Sequence, residues 1–266
     1  MAAARKTVKK TAKKSASRKK HKYSDADWQT RVNLAACYRL VALNGMTDLD
    51  ATHISARSPE NPEHIFLNPF GMLFHEITAS SLVKLDLDGN IIEENPYGLN
   101  PAGVVIHTAV MRGRPDVNSV VHTHTRAGMA VSAQKDGLLP LTQTSLRFYG
   151  KLAYHEYEGI AEPGEEDRLV EHLGTNAAMI LRNHGLLTTG RTVSEAWLNI
   201  HELEHACQAQ IDAQSGGNEH LKLVPKEICE STAQQYIRFT GNKIPGERAW
   251  PAHLRTLDRV DPSYKT

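Results

Sequence analysis

The chain has 266 residues, of which 40% are hydrophobic and 23% charged, and a formal net charge of +1 at pH 7. That length allows one sizeable core of the single-domain kind, with a composition ordinary for a globular protein. No apolar run approaches a membrane span and no apolar stretch near the N-terminus marks a secretory signal. Cys37, Cys207 and Cys229 are odd in number and unclustered, which reads as reduced thiols in a cytoplasm.

Residues 1–22 hold ten of the 31 basic residues and no acid, leaving 21 basic against 30 acidic residues and about −9 for the body. This Lys/Ala/Ser/Thr tail has almost nothing to bury and is expected to be disordered. It reads either as a solubilising extension or as an electrostatic contact for nucleic acid or another polyanion. The expected layout is therefore a basic tail over 1–22, one domain over 23–240 and an extended C-terminal arm over 241–266.

Within the body, Ser24 followed by Asp25 and Asp27 starts a helix that ends at Asn44-Gly45. Short strands follow over 52–57, 64–67 and 82–87. Asp88-Gly89 turns the last of these into a further extended piece over 90–93. Asn100-Pro101 opens a helix through Met111, with proline at the first helical position. The apolar run Val117, Val120, Val121 predicts a buried strand running into His122, and a helix begins near Thr125. Residues 150–157 look extended, 165–173 helical, and 177–181 form a strand leading to His184. Thr192 to Glu195 reads as a capping box for a long helix to about 214, and a last helix spans about 225–239. Pro245, Pro251 and Pro262 mark the rest as extended. The irregular alternation of strands and helices with hairpin turns predicts an α/β fold.

Two strand ends carry the chemistry. On a strand, residues two apart share a face, so His122 and His124 can grip one ion side by side. Met179 to Gly185 repeats the pattern: an apolar strand, then His184, then glycine. Three neutral imidazoles suit a borderline divalent ion such as zinc, with Fe2+ or Mn2+ as alternatives, and leave a coordination position open for substrate. His201-Glu202-Leu203-Glu204-His205 also fits a metalloprotease motif, but without a third ligand downstream in suitable context it is set aside as a chance match.

Residues 114–124 together with Leu181 to Leu186 resemble the class II aldolase/adducin family, over roughly residues 28–215. The resemblance implies a three-layer α/β/α arrangement with a mixed, largely antiparallel central sheet, and a homo-oligomer, most simply a tetramer. It implies a divalent metal on His122, His124 and His184. It also exposes departures. Sugar-phosphate aldolases carry a Ser-Ser-Glu-like segment whose glutamate moves the substrate proton; here that place reads Pro101-Ala102-Gly103, before His107. Their Thr-x-Gly phosphate loop corresponds to Pro69-Phe70-Gly71, and their Gly-Asn-Ile-Ser loop to Thr52-His53-Ile54-Ser55. Each has lost side-chain donors that a phosphate would need. The segments around 68–76, 100–103 and 152–159 look like the adducin-type branch.

The expected activity is thus a metal-dependent carbon–carbon lyase or decarboxylase on a non-phosphorylated small molecule. Arg126 and Arg147 are available cations for a substrate carboxylate. Glu158, His155, Glu76 and Tyr157 are candidates for the general base by residue type. Two alternatives stand: a non-haem Fe(II) oxygenase on the same three histidines, as in relatives of aminocoumarin biosynthesis, and a non-catalytic, adducin-like scaffold with actin-type contacts.

Overall fold

The computed structural model describes residues 23–266 other than 94, 161 and 163. The basic tail lies outside the described residues. In chain order the elements are α1 (Asp25–Leu43), β1 (His53–Arg57), β2 (His64–Leu67), β3 (Val83–Asp86), α2 (Pro101–Gly113), β4 (Ser119–Thr123), α3 (Arg126–Ser132), α4 (Gln143–Leu146), β5 (Leu152–His155), α5 (Glu165–Leu173), β6 (Ala178–Leu181), β7 (Gly185–Gly190), α6 (Val193–Gln214), α7 (Lys226–Thr240) and α8 (Trp250–Val260).

The strands form one seven-stranded sheet in the order β3-β2-β1-β4-β7-β6-β5. Every adjacent pair is antiparallel except β5 with β6. Alternation along each strand sends neighbours to opposite faces. Ile54, Val121, Ile180 and Leu186 thus meet α1, α3 and α6 on one side. Ile65, Val120, Met179 and Leu187 meet α2 and α5 on the other. The result is the expected three-layer α/β/α architecture with a mixed, largely antiparallel sheet.

Caps expected from the sequence set several helix starts. The Ser24 hydroxyl accepts from the Asp27 N–H, and Asn100 accepts from Ala102 with Pro101 in the first turn. Thr192 accepts from the Glu195 N–H, but the Glu195 carboxylate turns back to Arg191 rather than to Thr192. That completes only half of the expected capping box.

Three expectations change. Residues 90–93 make no strand; a single bridge joins Leu85 to Ile91. β7, unforeseen between His184 and the long helix, is a fully buried strand beside β4. Its bounding glycines, Gly185 and Gly190, both mark close backbone approach. Lastly, the segment 241–266 is not an extended arm. Pro251 sits in the first turn of α8, where a missing N–H costs nothing. Trp250, Leu257 and Tyr264 then pack into the core with α1, and the Ala79 and Ser80 N–H groups bond to the carbonyls of Tyr264 and Thr266.

Candidate metal centre

His122 is the fourth residue of β4 and His124 lies just past its end. Thr125 then caps α3, and its hydroxyl bonds the buried Glu204 carboxylate of α6, which fastens the segment after His124 to the long helix. His184 reaches the same place from the other side. β6 ends at Leu181, Asn183 adopts φ 55°, and the chain turns back so that Leu181 pairs with Gly185. Asparagine tolerates that left-handed conformation better than most residues. A Cβ on Gly185 would collide with the Thr123 carbonyl oxygen. Glycine therefore lets β7 run tightly along the end of β4 and brings His184 beside the pair.

The Nε2 atoms of His122 and His124 lie 2.8 Å apart, and those of His124 and His184 2.9 Å apart. His122 Nδ1 is 3.0 Å from the Leu186 carbonyl oxygen, and His124 Nδ1 is 3.0 Å from Asp48 Oδ2. A carbonyl or ionised carboxylate only accepts, so both Nδ1 atoms carry the proton. Both Nε2 atoms are then bare lone pairs facing one another. Two acceptors at that separation repel unless a cation lies between them. Burial, and then the neighbouring histidines, push His122 well below its usual pKa; burial followed by His124 pushes His184 down to about 4. A proton is thus a poor cation for this cluster at neutral pH. The donor set fits a divalent metal, with Nδ1–H groups tied to oxygens as metal-binding imidazoles usually are. Among the described residues this is the single group of three or more potential ligands that converges so. His201 and His205 stack at 4.4 Å on α6 and do not belong to it.

The histidines open into a cavity of about 420 Å³. Of the four base candidates, Tyr157 lines it, its ring 6.1 Å from that of His184. His155 is buried and does not line it: its Nδ1 lies 2.8 Å from His172 Nδ1 and its Nε2 3.4 Å from Glu165 Oε1. Glu158 is taken up by Arg168, which holds its carboxyl below the usual range. Glu76 accepts from the Leu73 N–H, away from the cavity. The two arginines are elsewhere as well. Arg126 is exposed on α3, and Arg147 bonds Asn199 in a separate cleft beside Tyr236. Position relative to a folded cavity decides such roles, and residue type does not report it.

Two titratable cavity-lining residues were missed by sequence reasoning, Glu165 and His53. Glu165 opens α5, and an acid in a first helical turn is unremarkable. His53 pairs across the sheet with His122. Its Nδ1 lies 2.8 Å from His107 Nε2, and His107 Nδ1 bonds the Ser55 hydroxyl. Burial drives His53 well below its usual pKa and His107 down to about 3, the charge on neighbouring histidines acting in the same sense.

Residues 32–211 match the family described as Class II Aldolase and Adducin N-terminal domain. A Caulobacter vibrioides protein provisionally named a class 2 aldolase is 51% identical over 246 residues, covering 92% of this chain and 95% of the relative. Alpha-adducin of Rattus norvegicus is 40% identical over 257 residues, which span 92% of this chain and 35% of the adducin. Among solved structures, L-fuculose 1-phosphate aldolase from Glaciozyma antarctica PI12 superposes with a TM-score of 0.80 at 27% identity, covering 93% of this chain and 97% of that one.

Proposed function

The chain belongs to the class II aldolase and adducin family, and from that premise we propose that it is a divalent-metal-dependent lyase acting on a non-phosphorylated substrate, with zinc on His122, His124 and His184. One observation carries the metal: two imidazoles whose Nδ1–H groups are tied to oxygens turn bare Nε2 atoms on one another 2.8 Å apart. When bound, the ion supplies Lewis acidity toward a substrate carbonyl during carbon–carbon cleavage or decarboxylation. The chain supplies the proton chemistry. The Tyr157 phenol and Glu165 carboxylate line the cavity, and we take them as the groups that give or take a proton there. The unphosphorylated substrate follows from the loops: Phe70 and Pro101-Ala102-Gly103 offer no side-chain donor where a phosphate dianion needs several. We further read the protein as a cytoplasmic homo-oligomer, which light scattering at micromolar concentration tests.

The test begins with metal analysis of untagged protein purified without added metal. Zinc near one per chain is expected, and iron instead would favour the Fe(II) oxygenase reading. Zinc-loaded protein is then assayed on fuculose, rhamnulose and ribulose phosphates beside a panel of hydroxy- and oxo-acids. Turnover confined to the acids is expected; efficient cleavage of a sugar phosphate overturns the substrate class.

A second reading, an adducin-like binding module, is favoured by the 40% identity to alpha-adducin. It predicts no turnover across the panel and co-sedimentation with actin filaments that survives His184→Ala.

A further inference from the structure

We propose that Ser55, His107 and His53 form a buried hydrogen-bond relay that fixes His53 as an Nε2–H donor facing the three-histidine cavity, where it binds an anionic oxygen of the substrate. The proposal rests on the metal-site reading above for the place of the substrate, but the relay itself stands on the protein alone.

The argument starts at the buried end. Ser55 lies on β1 with no solvent exposure, and its hydroxyl has one partner among the described residues, His107 Nδ1. A hydroxyl can donate or accept in such a contact. If it accepted, its own proton would be buried without an acceptor, which is the costlier arrangement. Ser55 therefore donates and His107 Nδ1 is bare. A neutral imidazole with a bare Nδ1 carries its proton on Nε2. His107 Nε2 thus donates across the 2.8 Å contact to His53 Nδ1. The same step, repeated, leaves the His53 proton on Nε2. Both rings are buried, and burial favours the uncharged form that the relay requires.

Nothing in the described residues accepts from His53 Nε2, and His53 lines the cavity that holds His122, His124 and His184. Its ring centroid is 5.0 Å from that of His122, as the register opposite His122 demands. The ring is also cut to fit. A Cβ on residue 103 would stand 2.7 Å from His53 Cδ2 and 3.2 Å from its Nε2. Glycine at 103 and histidine at 53 therefore form one arrangement: removing a side chain from α2 makes room for the imidazole from β1. A neutral imidazole held as an N–H donor stabilises negative charge on oxygen without carrying charge of its own. That suits a carboxylate or developing oxyanion beside a cation.

Selective 15N-histidine labelling of the full chain reads the tautomer directly, with or without metal. The expected spectrum has His53 protonated at Nε2 and bare at Nδ1, and Ser55→Ala, which keeps both rings, loses that fixed pattern. Protonation of His53 at Nδ1 in the wild-type protein, or an unchanged pattern in Ser55→Ala, overturns the relay. Oxalate, as the anionic probe, is then titrated calorimetrically into zinc-loaded protein. His53→Ala should raise its Kd roughly ten- to hundredfold, the loss typical of one hydrogen bond to a charged group, with zinc content unchanged. Equal oxalate affinity in the two proteins, or no oxalate binding by the wild type, overturns the oxyanion role. A protein that holds no zinc sinks the lyase reading instead, and the tautomer still decides the relay.

Discussion

Asp48 shows how much a single side chain outside the ligand set can decide. Its carboxylate sits 3.0 Å from His124 Nδ1, so it selects the tautomer that leaves Nε2 free and orients the ring. Partners of this kind typically change metal affinity 10–100-fold. Asp48→Ala should therefore weaken zinc binding by roughly that factor while leaving the fold intact, since the residue is 45% exposed at its side chain. Competition against a chromophoric chelator measures it, and an unchanged affinity would count against the oriented-imidazole account. The same scale explains why Tyr157 and Glu158, one residue apart, part ways. One side chain lines the cavity, and the other is held by Arg168.

Among elements, α6 and α8 do more than cover the sheet. α6 carries Glu204, buried and hydrogen-bonded to the Thr125 hydroxyl that also caps α3. Burial, against the pull of that bond, raises the Glu204 pKa. Thr125→Val keeps the shape but removes both bonds. Loss of a cap and of a buried donor together should cost on the order of 2 kcal/mol. Urea denaturation reads this, and a change within error would show that Glu204 finds another donor. α8 contributes Trp250, 8% exposed, whose indole N–H lies 3.2 Å from Asn33 Oδ1 on α1. Trp250→Ala should cost about 3–5 kcal/mol, the range for emptying a large aromatic site. Such a loss is incompatible with a loosely attached arm, whereas a shift below about 1 kcal/mol would restore that description.

For the molecule as a whole, buried and half-buried histidines should set the acid limit. Burial, followed by neighbouring histidines, holds His107 at about 3 and His184 and His201 at about 4, against an ordinary value of 6.5. Because the folded pKa values are depressed, the unfolded chain binds protons first as pH falls. The stability these groups contribute is complete above about pH 6.5 and is lost progressively toward pH 3–4. The metal-free protein should show a Tm that falls steadily from pH 7 to pH 4 by calorimetry. A flat Tm across that window would mean that the three rings remain protonatable in the fold. Bound zinc should steepen the fall, since its ligands must stay deprotonated.

The three-histidine cluster was legible in the sequence because its determinants are local. A strand's period of two aligns His122 with His124, and an Asn-His-Gly turn closing an apolar strand presents His184. The helices with a polar cap and an apolar stripe were legible for the same reason, whereas the absence of phosphate donors at Phe70 and at 101–103 was read only through the resemblance to the sugar-phosphate aldolases. What only the tertiary structure decided depends on pairings between distant segments. His53 becomes part of the site because β1 lies antiparallel to β4 in the register that sets it opposite His122, and because residue 103 on α2 lacks a side chain where the ring must go. Glu165 enters the cavity, while Arg126 and Arg147 stay out of it, through the placing of whole helices. Pro251 reads as a breaker until its neighbour Trp250 is seen buried against α1. Local windows carry periodicity and turn chemistry, but the register of strands and the docking of helices are settled by burial summed over the whole chain, which no single window contains.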